Sequence, residues 1–210
     1  MSKGAKIGLL ILAIIVVVGI AAYGFFKNTY NNLVALDEQV NTSFAQVQNV
    51  LQRRMDLIPN LVETVKGYAN FERETLESVI QARANATRMN VNVENLPQNP
   101  EQLNQYLEAQ NTLSSALGRL LVVVEKYPEL KANENFIRLQ DELAGTENRI
   151  AVERRRYNES VRSYNQKVRT FPVNILAGMF GFARRPYFEA PEEAQQAPKV
   201  DFGDMGNKNQ

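Results

Sequence analysis

Residues 139–174 read LQDELAGTENRIAVERRRYNESVRSYNQKVRTFPVN, and their apolar pattern decides the fold class. With Phe136 ahead of them, Leu139, Leu143, Thr146, Ile150, Glu153, Tyr157, Val161, Tyr164, Val168 and Phe171 recur at steps that are nearly all three or four. Such spacing draws one stripe down a helix and is the seam expected for left-handed helix packing. Pro172 closes the helix, because proline disfavours helical geometry in the residue before it.

Upstream, three more stripes appear. Leu33, Leu36, Val40, Phe44, Val47 and Leu51 share one helix face, as do Ile58, Val62, Val65, Ala69, Leu76 and Ile80. A third face carries Leu103, Tyr106, Gln110, Leu113, Leu117, Leu120 and Val124. Residues 90–100 (NVNVENLPQNP) read as a loop, and Tyr127-Pro128 ends the third helix. No run alternates with period two, so no sheet is expected.

Pro59 allows two readings. The apolar phase runs through it, as in a kinked continuous helix. A helix over residues 31–90 would be about 90 Å long, however, and its far end would outrun partners of about 40 and 58 Å. A turn at residues 56–59 is the preferred expectation, since burial against neighbours supplies most helical stability. It gives four antiparallel helices; a mere kink gives three.

Before the bundle lies IGLLILAIIVVVGIAAYGFF, residues 7–26, without a charge. About 20 apolar residues cross a hydrocarbon core roughly 30 Å thick. Lys3, Lys6 and Lys27 flank the run, and Tyr23, Phe25 and Phe26 crowd one end of it. A cleaved signal peptide is the rival reading, but its apolar region usually runs only about 7–15 residues. Lys3, Lys6 and the α-amino group against Lys27 put the N-terminus inside and the bundle outside by the positive-inside rule. The chain therefore divides into residues 1–6, a transmembrane helix at 7–26, a helical bundle over 31–171, an apolar segment at 172–185 and a disordered tail at 186–210.

Composition narrows the function. The sequence has 24 basic and 23 acidic residues, without the basic excess of a nucleic-acid-binding domain. Cys, His and Trp are absent. The chain thus lacks thiolate chemistry, the commonest metal ligand and the usual acid–base group near neutral pH. No phosphate loop, dinucleotide fingerprint or catalytic triad is present, so no enzyme activity, metal, cofactor or small-molecule substrate is expected.

RRMDLIPNLVETVKGYANFERETLESVIQARA at residues 53–84 closely resembles the signature of the LemA family of bacterial membrane proteins. Residues 139–174 and PYFEAPEEAQQAPKVDF at 186–202 carry the same resemblance. It implies an N-terminal transmembrane helix and an antiparallel four-helix bundle, with no biochemical activity or catalytic residue to carry over. Descriptions of the family place the short N-terminus outside the cell, opposite to the charge reading.

Several constellations allow a functional and a structural reading. Arg53, Arg54 and Asp56 form either a partner-docking patch or an Arg53–Asp56 pair beside a solvated Arg54, such a pair being worth tenths of a kcal/mol. Glu72, Glu74 and Glu77, and Arg154, Arg155 and Arg156, read as solvated or locally paired faces. Tyr157-Asn158 and Tyr164-Asn165 repeat at seven residues; the Tyr rings belong to the core, and the Asn side chains are expected to fix register by buried hydrogen bonds.

Residues 171–182 (FPVNILAGMFGF) are apolar and followed by two arginines. An even number of helices after the anchor returns the chain to the membrane side. Lipid contact is then assigned to Ile175, Leu176, Met179, Phe180, Phe182, Arg184 and Arg185, with a cap over the bundle's open end as the alternative. In the tail, Lys199, Val200 and Phe202 form a candidate docking motif. The expected function is a membrane-anchored adaptor or scaffold that binds another membrane-associated protein. The alternative is a self-associating, membrane-structuring protein gripping the bilayer through 171–182.

Overall fold

Proline lacks the N–H that would bond the carbonyl four residues earlier, so Pro59 leaves Met55 O without its helical partner. Arg83 Nε–H fills that vacancy at 2.9 Å from the neighbouring helix. With the carbonyl satisfied, α1 runs unbroken from Lys3–Lys66, with Pro59 inside it, in a computed structural model that describes residues 3–68, 72–89 and 96–188. The turn expected at 56–59 is therefore absent. The helix stops instead at Gly67 and Tyr68, where Tyr68 N–H bonds Val65 O at 3.1 Å.

The later helices are α2 (Arg73–Met89), α3 (Pro100–Val124), α4 (Pro128–Lys131), α5 (Glu134–Arg169) and α6 (Val173–Met179), and no strand occurs among the described residues. Asn99 caps α3, its Oδ1 accepting the N–H of Glu101 and Gln102, with Pro100 at the first position. Asn133 caps α5 the same way through Asn135 and Phe136. Residues 96–98 form a short 3₁₀ turn; the rest of the loop expected at 90–100, residues 90–95, lies outside the described residues.

α1 packs chiefly on α5, and α2 on α3. The post-anchor part of α1 with α2, α3 and α5 makes the antiparallel four-helix arrangement, because the chain reverses near Gly67 rather than near Pro59. Most stripe positions bury: Leu33, Val40, Phe44, Val47 and Leu51 on α1, Leu103 to Val124 on α3, and Phe136 to Val168 on α5 supply core residues, whereas Ile80 and Phe171, expected on the same faces, are exposed and Ala69 lies outside the described residues.

The interior has two apolar clusters. The distal one joins Met55 to Val65 of α1, all of α2's buried face, Leu113 to Val124 of α3, Leu130, Phe136 and Leu143. The proximal one joins Leu33 to Leu51, Leu96, Leu103, Tyr106, Ile150 to Val168, Val173, Ala177 and Phe188. Between them lies a polar layer around Arg54, which is only 2% exposed. Its Nη1 donates to Glu147 at 2.6 Å and Ser114 at 2.7 Å, and its Nη2 bonds the backbone and side-chain oxygens of Gln110. Residues 6–28 of α1 project from the bundle with every side chain exposed, and this is the one helix among the described residues long and apolar enough to cross a membrane.

Candidate functional site

Gly181 has φ +77°, a left-handed conformation that costs a side-chain-bearing residue roughly 1–2 kcal/mol. It follows the end of α6, and Phe182 N–H reaches back to Ala177 O at 2.9 Å, the long bond of a Schellman cap. The chain leaves this turn without regular structure and runs over α5 as a strap, residues 182–188.

Two asparagines hold the strap. Asn165 donates to Arg185 O at 2.8 Å and accepts Arg185 N–H at 2.9 Å. Asn158 does the same for Phe188, at 2.9 and 2.8 Å. The spacings match physically: seven helical residues rise about 10.5 Å, and three extended residues cover about 10 Å. Each carboxamide thus meets both polar groups of one backbone residue, as a neighbouring β-strand would. Tyr157 OH adds a bond to Pro186 O at 3.0 Å.

Side chains secure both ends. Arg185, 8% exposed, bonds Asp37 through Nη2 at 2.6 Å and Nε at 3.1 Å, and lies over the Tyr164 ring at 5.8 Å. Phe188 fills a slot between Phe44 (6.0 Å, stacked) and Tyr157 (4.7 Å, edge-on), with the Arg154 guanidinium 5.5 Å from its ring centre. Burial pushes the Tyr157 phenol well above its ordinary value, the Arg185 charge opposing in part. Burial also lowers the Arg154 guanidinium from its usual range; Arg54 acts the same way and Glu147 against it. Beside the strap an open groove runs along α5, lined by Arg154, Arg155, Glu159 and Arg162 together with Tyr187 and Phe188.

This geometry revises several sequence expectations. Arg54 cannot belong to an exposed docking patch, since it lies on the α1 stripe three residues after Leu51 and is buried; nor is it solvated. Arg53 is exposed and 3.9 Å from Glu142 rather than paired with Asp56, which accepts a bond from Gln52 at 2.7 Å. Leu176, 4% exposed, and Arg185 face the interior and leave the set of lipid-facing candidates. Phe182 is half-buried against the proximal core, whereas Ile175, Met179, Phe180 and Arg184 are exposed. Residues 186–188 are an ordered part of the strap, not the start of a disordered tail. Lys199, Val200 and Phe202 lie outside the described residues.

Other expectations match. Glu77 pairs with Arg73 at 2.7 Å and Arg156 with Glu153 at 2.7 Å, both local ion pairs, while Glu72 reaches Lys126, just past the end of α3, at 3.1 Å. The strap itself was missed in sequence. Its signal was the seven-residue repeat of Tyr-Asn, read as register-fixing between helices when its partner is a non-helical segment.

An apolar N-terminal helix, a four-helix bundle and a lashed C-terminal strap define an all-α protein whose features are consistent with a membrane location. The LemA family profile matches residues 43–202, and the chain belongs to that family. Magnetosome protein MamQ 1 and MamQ 2 of Paramagnetospirillum magneticum are each 26% identical over 90% of this chain and 74% of their own. Protein LemA of Metamycoplasma hominis is 26% identical over 87% of this chain and 78% of its own.

Proposed function

We propose that the protein is a membrane-anchored, non-enzymatic adaptor that spans the bilayer with residues 7–26 and docks a second membrane-associated protein on the α5 face of its bundle. The observation that carries this reading is the strap site. Asn158, Asn165 and the Phe44–Tyr157 slot are filled by the chain's own Arg185 and Phe188, and the strap they hold forms one wall of an open groove on α5. That groove, with Arg155 and Arg162 exposed on it, favours an acidic extended segment. In this reading the N-terminus lies inside and the bundle outside, which the excess of Lys3 and Lys6 over Lys27 supports.

A photo-crosslinking residue at position 162, in full-length protein in native membranes, tests the reading. A heterologous adduct that disappears when Arg155 is changed to Glu supports the adaptor. Adducts to copies of this chain alone would replace it with a self-associating scaffold.

A further inference from the structure

We infer that α6 is a second membrane contact, a foot that seats the proximal end of the bundle on an anionic phospholipid surface. The inference rests on the reading that residues 7–26 span the bilayer.

The level of α6 follows from α1. The uncharged run ends at Phe26, and Tyr30 is four residues on, about 6 Å further along the axis. The Tyr30 ring meets Phe180 at 5.0 Å and Phe182 at 5.9 Å, both edge-on. α6 is therefore held at the height where the headgroups begin if α1 crosses the bilayer. An interfacial helix buries its apolar face about 5–10 Å into that boundary.

The two faces of α6 differ in what they touch. Val173, Leu176 and Ala177 enter the proximal core or lie buried beside it. Phe171 (76% exposed), Ile175 and Met179 (71%), with Phe180, are left uncovered, and the exposed Phe26 lies one helical turn before the Tyr30 that meets Phe180. An uncovered aromatic and aliphatic surface beside an apolar helix is continuous with the surface that helix offers to lipid.

Charge selects the occupant. Between Glu159 and Glu189 there is no acidic residue, while Arg162, Lys167, Arg169, Arg184 and Arg185 are basic, and Lys27 follows the apolar run. Of the adjoining carboxylates Asp37 and Glu38 on α1, Asp37 is engaged by Arg185 and Glu38 is exposed. Lys27, Arg169 and Arg184 are exposed. Juxtamembrane basic residues are worth about 1 kcal/mol each near an anionic surface. A second copy docking on this patch would bring the same cations against themselves, which lipid phosphates do not.

The chain contains no Trp, so single tryptophans report cleanly. Val17→Trp, Phe180→Trp, Met179→Trp and Val122→Trp would be made singly in the full chain, Val122 being an exposed distal residue of α3. Each is reconstituted in phosphatidylglycerol-containing vesicles carrying lipids brominated near the headgroup or near the chain end. Val17→Trp reports the span: strong quenching by the deep bromines supports it, and none overturns the anchor itself. With Val17→Trp quenched, we expect Phe180→Trp and Met179→Trp to lose about half their emission to the shallow bromines, as rings at interfacial depth should. Val122→Trp should stay unquenched. Replacing the anionic lipid by phosphatidylcholine should weaken the quenching at 179 and 180 and leave it unchanged at 17. The foot is overturned if 179 and 180 match 122 while 17 is quenched. It is equally overturned if their emission responds only to protein density, which would assign the patch to a second copy.

Discussion

The distal and proximal halves of the bundle are built on different principles. The distal half is mainly aliphatic: Met55, Ile58, Leu61, Val62 and Val65 interlock with Leu76, Val79, Leu113, Leu117 and Leu120. Four long helices all reach it, so burial alone holds it together. α2 ends at Met89, and none of its fully buried residues enters the proximal core. There Phe44, Tyr106, Tyr157, Tyr164 and Phe188 supply bulk, side-chain-to-backbone hydrogen bonds attach the strap to α5, and the Arg185–Asp37 ion pair ties it to α1. A half short of helix is completed by a non-helical segment, and that segment needs donors and acceptors from side chains because it has no ladder of its own. The Arg54 layer separates the halves.

The comparison is best attacked where burial dominates. Leu143→Asp places an unpaired carboxylate in the distal core and is expected to cost several kcal/mol. Glu142→Lys next to it, exposed and loosely paired with Arg53, should stay within about 0.5 kcal/mol. Thermal melts of the two variants measure the contrast; equal shifts would mean the seam is misplaced.

Alkali should act first on the proximal side. Burial raises the Tyr106 phenol from 10.0 to about 12, with Arg54 and then Gln110 pulling it down in part. A proton held more tightly in the folded state stabilises it fully below the unfolded value. That stability is lost as pH rises from about 10 towards 12. Tyrosinate absorbance followed with pH should show a late, cooperative step. Titration of Tyr106 near its ordinary value would show that the site is open to water.

A smaller, local effect is expected at the strap. Asn165→Ala leaves the buried N–H and C=O of Arg185 without partners, a loss of about 1–3 kcal/mol. Trypsin should then cut after Arg184 faster, Arg185 being protected by the proline that follows it, while the distal core melts as before. Smallest is Gly181→Ala, about 1 kcal/mol, because a Cβ there meets no atom within 4 Å and only the positive φ resists it. If Asn165→Ala instead lowers the whole melt, the two halves are one cooperative unit.

The helices were legible because each carries a stripe that a single period explains. The bend at Pro59 was misjudged because its remedy is tertiary: no local pattern announces that Arg83 will reach Met55 O. Gly67, just past Lys66, was the usable stop signal. Arg54 was also readable in principle, as a charge on the apolar phase between Leu51 and Ile58, facing the polar breaks Gln110 and Thr146 in the other stripes. The strap was harder, since a segment whose order derives from another element's asparagines carries little pattern itself. Side-chain hydrogen bonds over 20 to 30 residues of separation leave no periodic trace.

α1 carries one further consequence. From Lys27 to Lys66 it extends about 60 Å beyond the uncharged run as a single helix, continuous through Pro59. Membrane helices commonly tilt by about 20°, and a rigid rod of that length swings its far end by roughly 20 Å for such a tilt. If residues 7–26 cross the bilayer, the distal core moves as the tip of a lever whose fulcrum is the membrane, and a change in membrane thickness becomes a change in where that tip stands.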